Sequence, residues 1–357
     1  MASQSFTSNH FEYPVQEQGA PRLSLKADGG QEERVRFDPK KHLRFQMPDK
    51  TYTLEDLKYE TKQAVGKVAA TDPFPLFSRE AIVEMRRELL SERTIKNCMT
   101  YTRPGSVQIR GAAPQYAPFV YEAWTHPETI KAVSQVVGLP VKINIQQEIG
   151  HTNVQLGPDG LEGLKNLTPE PLEPKVYGEE PQEEEEDITQ DKDTDVIEWH
   201  NDMYPWSLVV SLSLPQGKGG ETACLCGDGS IIKAAKPDVG YGVLLHGNVV
   251  KHKAVRAIGA KERITMVCSW WPADPLLYDD SKISHTRDVS YKPEMYYQWT
   301  TYRLQVLAAR CLEKAKQLHR KHENKKDYSE VVVEPQEFAE WAKEQIAFFE
   351  RTYDHVK

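Results

Sequence analysis

Between Val196 and Trp271 turn residues cut the chain into short β-type runs, and this punctuation limits the fold more than any other feature. The runs are Leu208–Leu214, Thr222–Leu225, Ile231–Ala234, Gly242–Leu245 and Ile264–Trp270, with Gly217-Lys218-Gly219-Gly220 after the first. Many short strands closed by glycine turns predict a barrel or a double sheet.

Helical patterns flank this region. Phe74, Leu76 and Phe77 suggest a short buried strand or turn, Ser78 is a plausible N-cap, and Ile82, Met85, Leu89 and Leu90 recur at helical spacing, so a helix is predicted over Arg79 to Glu92. Thr125 ahead of Pro127 and Glu128 predicts a second helix start, with Ile130, Val133, Val136 and Val137 as its stripe and Gly138 as its stop. Val141 to Ile145 alternates with period two, and Thr152 to Leu156 can pair beside it. After Pro272, Met295, Trp299, Tyr302, Leu304, Val306 and Leu307 mark a helix, and a last one is predicted over Pro335 to Tyr353. These helices should pack outside the sheets.

The predicted organisation is a polar arm over 1–50, disordered or wrapping the core, a catalytic domain over 51–275 and a helical extension over 276–357. An insertion at 157–194 carries the acidic run Glu179 to Asp187, which predicts a solvated surface loop.

Composition narrows the function classes. A chain of 357 residues with 39% hydrophobic content can fill a sizeable core. Its net charge of −8 and isoelectric point near 5.8 give no general attraction to nucleic acid or anionic membrane surfaces. The five cysteines (Cys98, Cys224, Cys226, Cys268, Cys311) lack framework spacing, which predicts free thiols in a reducing compartment. The start, Met1 to His10, is polar, and no run approaches the ~20 apolar residues that span a bilayer. A soluble, cytoplasmic protein is expected. No phosphate loop or dinucleotide fingerprint appears where a strand meets a helix.

The chemistry concentrates at Glu198-Trp199-His200-Asn201-Asp202. His200 and Asp202 stand two residues apart, so an extended chain can point both at one metal. His252 leaves the end of a later strand and supplies a third ligand, although His246, six residues earlier, competes for that role. Two histidines and one carboxylate form the facial triad of an oxygen-using iron(II) centre, with three positions open. Arg263 opens the strand Ile264-Thr265-Met266-Val267; its guanidinium suits the distal carboxylate of a dicarboxylate, and Thr265 adds a hydroxyl. Its spacing from His252 favours that histidine over His246. Cys224 and Cys226 read as alternate strand residues facing the core, since no second pair stands at zinc spacing.

The order His-x-Asp, distal His, then Arg about ten residues on resembles the iron(II)/2-oxoglutarate-dependent dioxygenase superfamily. Gly219-Gly220-Glu221-Thr222 is similar to the turn after the first ligand pair in its prolyl-hydroxylase-like members. The likeness runs from about Phe74 to Trp271. It implies an α+β fold with a mainly β core, a double-stranded β-helix of the jelly-roll or cupin type, and Fe(II), 2-oxoglutarate and O2 as cofactors. It also implies contacts to 2-oxoglutarate from strand residues such as Asn144 and Gln146, with Asn153 nearer the substrate, although ordinary solvent-facing strand residues would look the same. Trp206, Arg256, Trp270 and Trp271 are candidates to line a substrate pocket, with core packing as the simpler alternative. The flanking segments resemble fungal members acting on free amino acids or secondary metabolites, aziridine-forming ones included. A small-molecule substrate is therefore expected, with a peptide or prolyl hydroxylase and a non-oxygenase metal-binding barrel as rivals. No oligomeric state is implied.

Overall fold

Eight strands build the centre of the molecule: β1 (His151–Gln155), β2 (Asp195–His200), β3 (Trp206–Ser211), β4 (Thr222–Leu225), β5 (Ile231–Ala234), β6 (Tyr241–Leu245), β7 (His252–Val255) and β8 (Arg263–Pro272). The computed structural model describes residues 34–60, 64–103, 106–156, 160–173, 195–214, 218–258 and 260–357; the acidic run predicted as a surface loop lies outside them. Strands β1, β8, β3 and β6 are successive neighbours within a ten-stranded sheet, while β5, β4, β7 and β2 form a four-stranded sheet, all paired antiparallel. Apart from the β4–β5 hairpin, each step along these strands crosses from one sheet to the other. That alternation defines a double-stranded β-helix, the jelly roll the resemblance implied.

Side-chain alternation explains why the roll closes. On β8, Ile264, Met266, Cys268 and Trp270 face the large core, as do Leu208 and Val210 of β3 and Leu244 of β6. The helices α1 (Arg79–Leu89), α2 (Pro118–Thr125) and α3 (Pro127–Val137) cover this outer face with Ile82, Met85, Phe119, Trp124 and Val133. Burying a tryptophan there removes about 200 Å² from water, on the order of 5 kcal/mol before the entropy of ordering it. The alternate residues of β8, namely Arg263, Thr265, Val267 and Ser269, face the roll interior. Two strands extend the large sheet beyond β1, Ser106–Ile109 and then Met99–Arg103, and Val68–Thr71 and Thr51–Thr53 extend it beyond β6. At the other end α4 (Lys292–Glu323) and α5 (Pro335–Asp354) pack Met295, Trp299, Val306 and Phe348 onto Tyr204 and Trp271.

The strands Thr222–Leu225 and Ile231–Ala234 have the predicted bounds, and Ser78 caps α1 by accepting from the Ala81 N–H at 3.2 Å. Three local readings are corrected. Thr125 ends α2, with its hydroxyl turned back to the Tyr121 carbonyl at 2.7 Å, so His126 is the N-cap of α3. The strand expected over Val141 to Ile145 is only Val141–Lys142, because Gln146–Glu148 turns into a 3-10 helix. Thr152 and its neighbours pair with β8 and Ser106–Ile109 rather than with Val141. From Arg36 onward the segment read as an arm that is disordered or wraps the core belongs to the compact unit. Phe37 is buried there, edge-on to Phe77 and Phe119 at 6.3 and 5.8 Å.

Candidate metal centre and anion pocket

His200 ends β2, His252 starts β7, and the two are direct cross-strand partners. Asp202 lies two residues past β2, where its N–H donates to the Gly247 carbonyl at 2.8 Å. A Cβ on Gly247 would collide with the Asp202 carboxylate, so that glycine makes room for the carboxylate beside the histidines. The carboxylate oxygens lie 3.4 Å from Nε2 of His200 and 3.4 Å from Nε2 of His252. The ligand atoms of all three residues fall within 4.8 Å of one another, compact enough for one ion to reach them all.

The histidine hydrogen bonds say what belongs between them. Nδ1 of His200 is 2.7 Å from the Glu198 carbonyl and Nδ1 of His252 is 2.9 Å from the Val250 carbonyl. A carbonyl only accepts, so each Nδ1 carries hydrogen and donates, which leaves each neutral ring with a lone pair on Nε2. Two lone pairs aimed at a carboxylate repel unless positive charge sits between, and without a metal only protons on the rings can supply it. For Asp202, burial works upward, but His252 and then His200 overcome it and hold the carboxyl well below its usual range. For His252, burial works downward and Asp202 prevails, raising the imidazole. The donor set and its backbone-fixed tautomers fit a divalent cation bound on one face.

Deeper in the roll, Arg263 is 5% exposed. Its Nε donates to the Gly220 carbonyl at 3.2 Å, while its buried NH1 has no hydrogen-bond partner among the described residues. Burial pulls the guanidinium down to about 10, with Glu221 pulling it back up. Thr265 lies on the same face and pairs across to Asn153 of β1, whose Oδ1 is also buried without a partner. The start of β8 is anchored from outside: Glu262, one residue before Arg263, meets the fully buried Arg86 of α1 at 2.9 and 3.0 Å. Alternation then turns Arg263 inward. Its orphaned nitrogen is what a pocket for an anion needs.

Of the other predicted site residues, several lie elsewhere. Gln146 is in the 3-10 turn, with its amide 3.4 Å from the Tyr121 hydroxyl on α2, and Asn144 lies in the link before that turn rather than on a strand. Trp206 and Trp270 are fully buried on the outer face, Trp206 against His246 at 5.1 Å and Trp270 against Trp124 at 6.1 Å, so both are core rather than pocket wall. Arg256 is half-buried between β7 and the strand Ala257–Ile258. His246 lies with Nδ1 2.9 Å from Asn248 and Nε2 3.0 Å from the Val65 carbonyl, which removes it from the ligand set.

The sequence reading missed a second polar group beside the triad. Arg110 is bound by Glu148, with both carboxylate oxygens 2.8 Å from its NH2, and its NH1 lies 3.1 and 3.2 Å from the ring nitrogens of His151. Burial and then Arg110 hold the His151 imidazole well below its usual value, against an upward pull from Asp202. No local spacing ties these residues to His200; only the pairing of β1 with Ser106–Ile109 brings Arg110 there.

No protein-family model and no curated protein matches the chain. Among solved structures, a prolyl-4-hydroxylase from Pseudomonas putida matches at 16% identity over 55% of this chain and 88% of its own, with a TM-score of 0.32. AviO1 from Streptomyces viridochromogenes matches at 14% identity over 59% and 91%, with a TM-score of 0.35. Full-length T7H of Neurospora crassa, in complex with α-ketoglutarate, matches at 12% identity over 54% and 69%, with a TM-score of 0.31. Likenesses this loose carry no weight of their own, and function has to be read from the residues of this chain.

Proposed function

We propose that the chain is an iron(II)- and 2-oxoglutarate-dependent oxygenase that oxidises a small substrate, a free amino acid or an intermediate of secondary metabolism. One observation carries the reading: a single jelly roll holds a His200–Asp202–His252 cluster and, on an inward strand face, a buried guanidinium nitrogen without a partner. His200, Asp202 and His252 would hold the iron on one face and leave three positions for cosubstrate and O2. Arg263, with the Thr265 hydroxyl, would take the distal carboxylate of 2-oxoglutarate and thereby fix where its keto acid end lies. When bound, iron, cosubstrate and O2 supply oxidative decarboxylation to succinate and CO2, coupled to removal of a hydrogen from the substrate. The protein's part is to position both partners and keep water from the reacting centre. Hydroxylation or oxidative cyclisation are the outcomes in view.

A small substrate is favoured over a peptide by the wall next to Asp202. Met203 and Tyr204 of the following loop pack against Trp271, Ile283 and Met295, so the start of α4 backs that side. Four buried free cysteines and a fifth exposed one suit a reducing compartment such as the cytoplasm, and no described helix is long and apolar enough to cross a membrane.

The test is 2-oxoglutarate turnover by anaerobically purified, Fe(II)-loaded protein, read as succinate, across free amino acids and short peptides. Succinate formation that one small substrate stimulates and that His200→Ala abolishes is expected. Stimulation by peptides alone, or undiminished turnover in His200→Ala, would overturn the reading.

A further inference from the structure

The roll interior contains a second cation that the triad does not use. Lys236, two residues past β5, is 6% exposed, and its Nζ donates to the Thr222 hydroxyl at 3.1 Å. Thr222 opens β4, two residues beyond Gly220, whose carbonyl accepts from Arg263. Both cations therefore bind the same short stretch, Gly220 to Thr222, from different sheets, and Arg263 is close enough to act on the Lys236 charge. Among the described residues neither forms an ion pair. The charged and titratable groups facing Lys236 are Arg263, Cys224 and Glu221, and Glu221 is only half-buried. Burial first, and Arg263 second, pull the Lys236 ammonium down to about 7.

Burying one unpaired charge costs several kcal/mol, and two of the same sign side by side cost more. A structural role gives no return for that cost, because among the described residues the lysine's hydrogen bond goes to a neutral hydroxyl. An arriving carboxylate changes the balance, since it has two oxygens and a charge for both cations.

We propose that Lys236 is a second cationic holder of the cosubstrate's distal carboxylate, so that this carboxylate is clamped between Arg263 on the large sheet and Lys236 with Thr222 on the small one. The inference rests on the oxygenase reading. It makes the pocket selective for a dicarboxylate over a 2-oxo acid of equal length without the distal carboxylate.

Calorimetric titration of Fe(II)-loaded protein under anaerobic conditions tests it, with 2-oxoglutarate and 2-oxopentanoate as probes. Lys236→Met should weaken 2-oxoglutarate binding by at least about 10-fold, the worth of one charge-assisted hydrogen bond. It should leave the weak binding of 2-oxopentanoate unchanged, and Lys236→Arg should recover most of the loss. The metal-free Lys236→Met protein should melt at or above the wild-type temperature, because an unpaired buried charge has been removed. Unchanged 2-oxoglutarate affinity, equal weakening for both probes, or a lowered melting temperature would each overturn the proposal. Those outcomes leave the oxygenase reading intact, whereas a wild-type protein that binds no 2-oxoglutarate at all would remove the reading itself.

Discussion

The triad and the Arg263 pocket are incomplete in opposite senses. At His200, Asp202 and His252, a carboxylate faces two ring nitrogens whose hydrogens are committed to backbone carbonyls, so negative charge and lone pairs are in excess. At Arg263 and Lys236, two buried cations meet a carbonyl and a hydroxyl, so positive charge is in excess. The difference teaches what each end awaits: a cation at the first and an anion at the second. One molecule that chelates a metal and carries a distal carboxylate answers both, which is why 2-oxoglutarate fits better than two unrelated ligands would.

The largest expected effects come from emptying either end. His200→Ala or Asp202→Ala should lower iron affinity by more than about 100-fold, measured by competition with a chelator, because a ligand is worth more than the outer contacts that orient it. Arg263→Ala should leave iron affinity as it is and weaken 2-oxoglutarate by about 30- to 1000-fold, the cost of removing one partner of a buried charge pair. If either substitution damaged both ends equally, the two would not be separable. Next comes Gly247→Ala, which pushes the Asp202 carboxylate from its place. Iron affinity should fall by about 10- to 100-fold, while circular dichroism stays that of the wild type.

A smaller effect follows from Lys236. In the free pocket its ammonium is pulled down to about 7 by burial and then by Arg263, opposed by Cys224 and Glu221. It must be protonated to meet a carboxylate, so binding takes up a proton and affinity for 2-oxoglutarate should decline as pH rises above about 7, by up to about tenfold per unit. Calorimetry of Fe(II)-loaded protein between pH 6 and 9 reads this slope, and Lys236→Met should flatten it. Smallest is Trp270→Phe. As a core residue on the outer face it should cost about 1–3 kcal/mol in urea unfolding and leave turnover nearly unchanged. A specific loss of substrate affinity would return Trp270 to the pocket.

What could be read from sequence follows from how each part is encoded. His200, Asp202, His252 and Arg263 stand at strand ends whose short β runs and turns are local, so their placement follows from spacing. Trp206 and Trp270 follow the simpler alternative of core packing: alternation shows two faces of a strand without saying which is inside, and here Trp124 of α2 takes the face bearing Trp270. Gln146 was lost to a 3-10 turn that a polar run does not announce. Lys236, Arg110 and His151 depend on long-range pairing: Lys236 reaches Thr222 across a hairpin, and Arg110 reaches His151 because Ser106–Ile109 joins β1. A lysine in a loop usually lies in water, and nothing in its neighbours marks this one as buried.

The most direct measurement is anaerobic titration of 2-oxoglutarate into the same preparation with and without Fe(II). If the two ends are bridged by one cosubstrate, iron should bind one per chain and tighten 2-oxoglutarate by at least about tenfold, the worth of one favourable contact of 1.4 kcal/mol. Arg263→Ala should weaken the iron-loaded affinity. Equal affinity with and without iron, or binding indifferent to Arg263, would contradict the account.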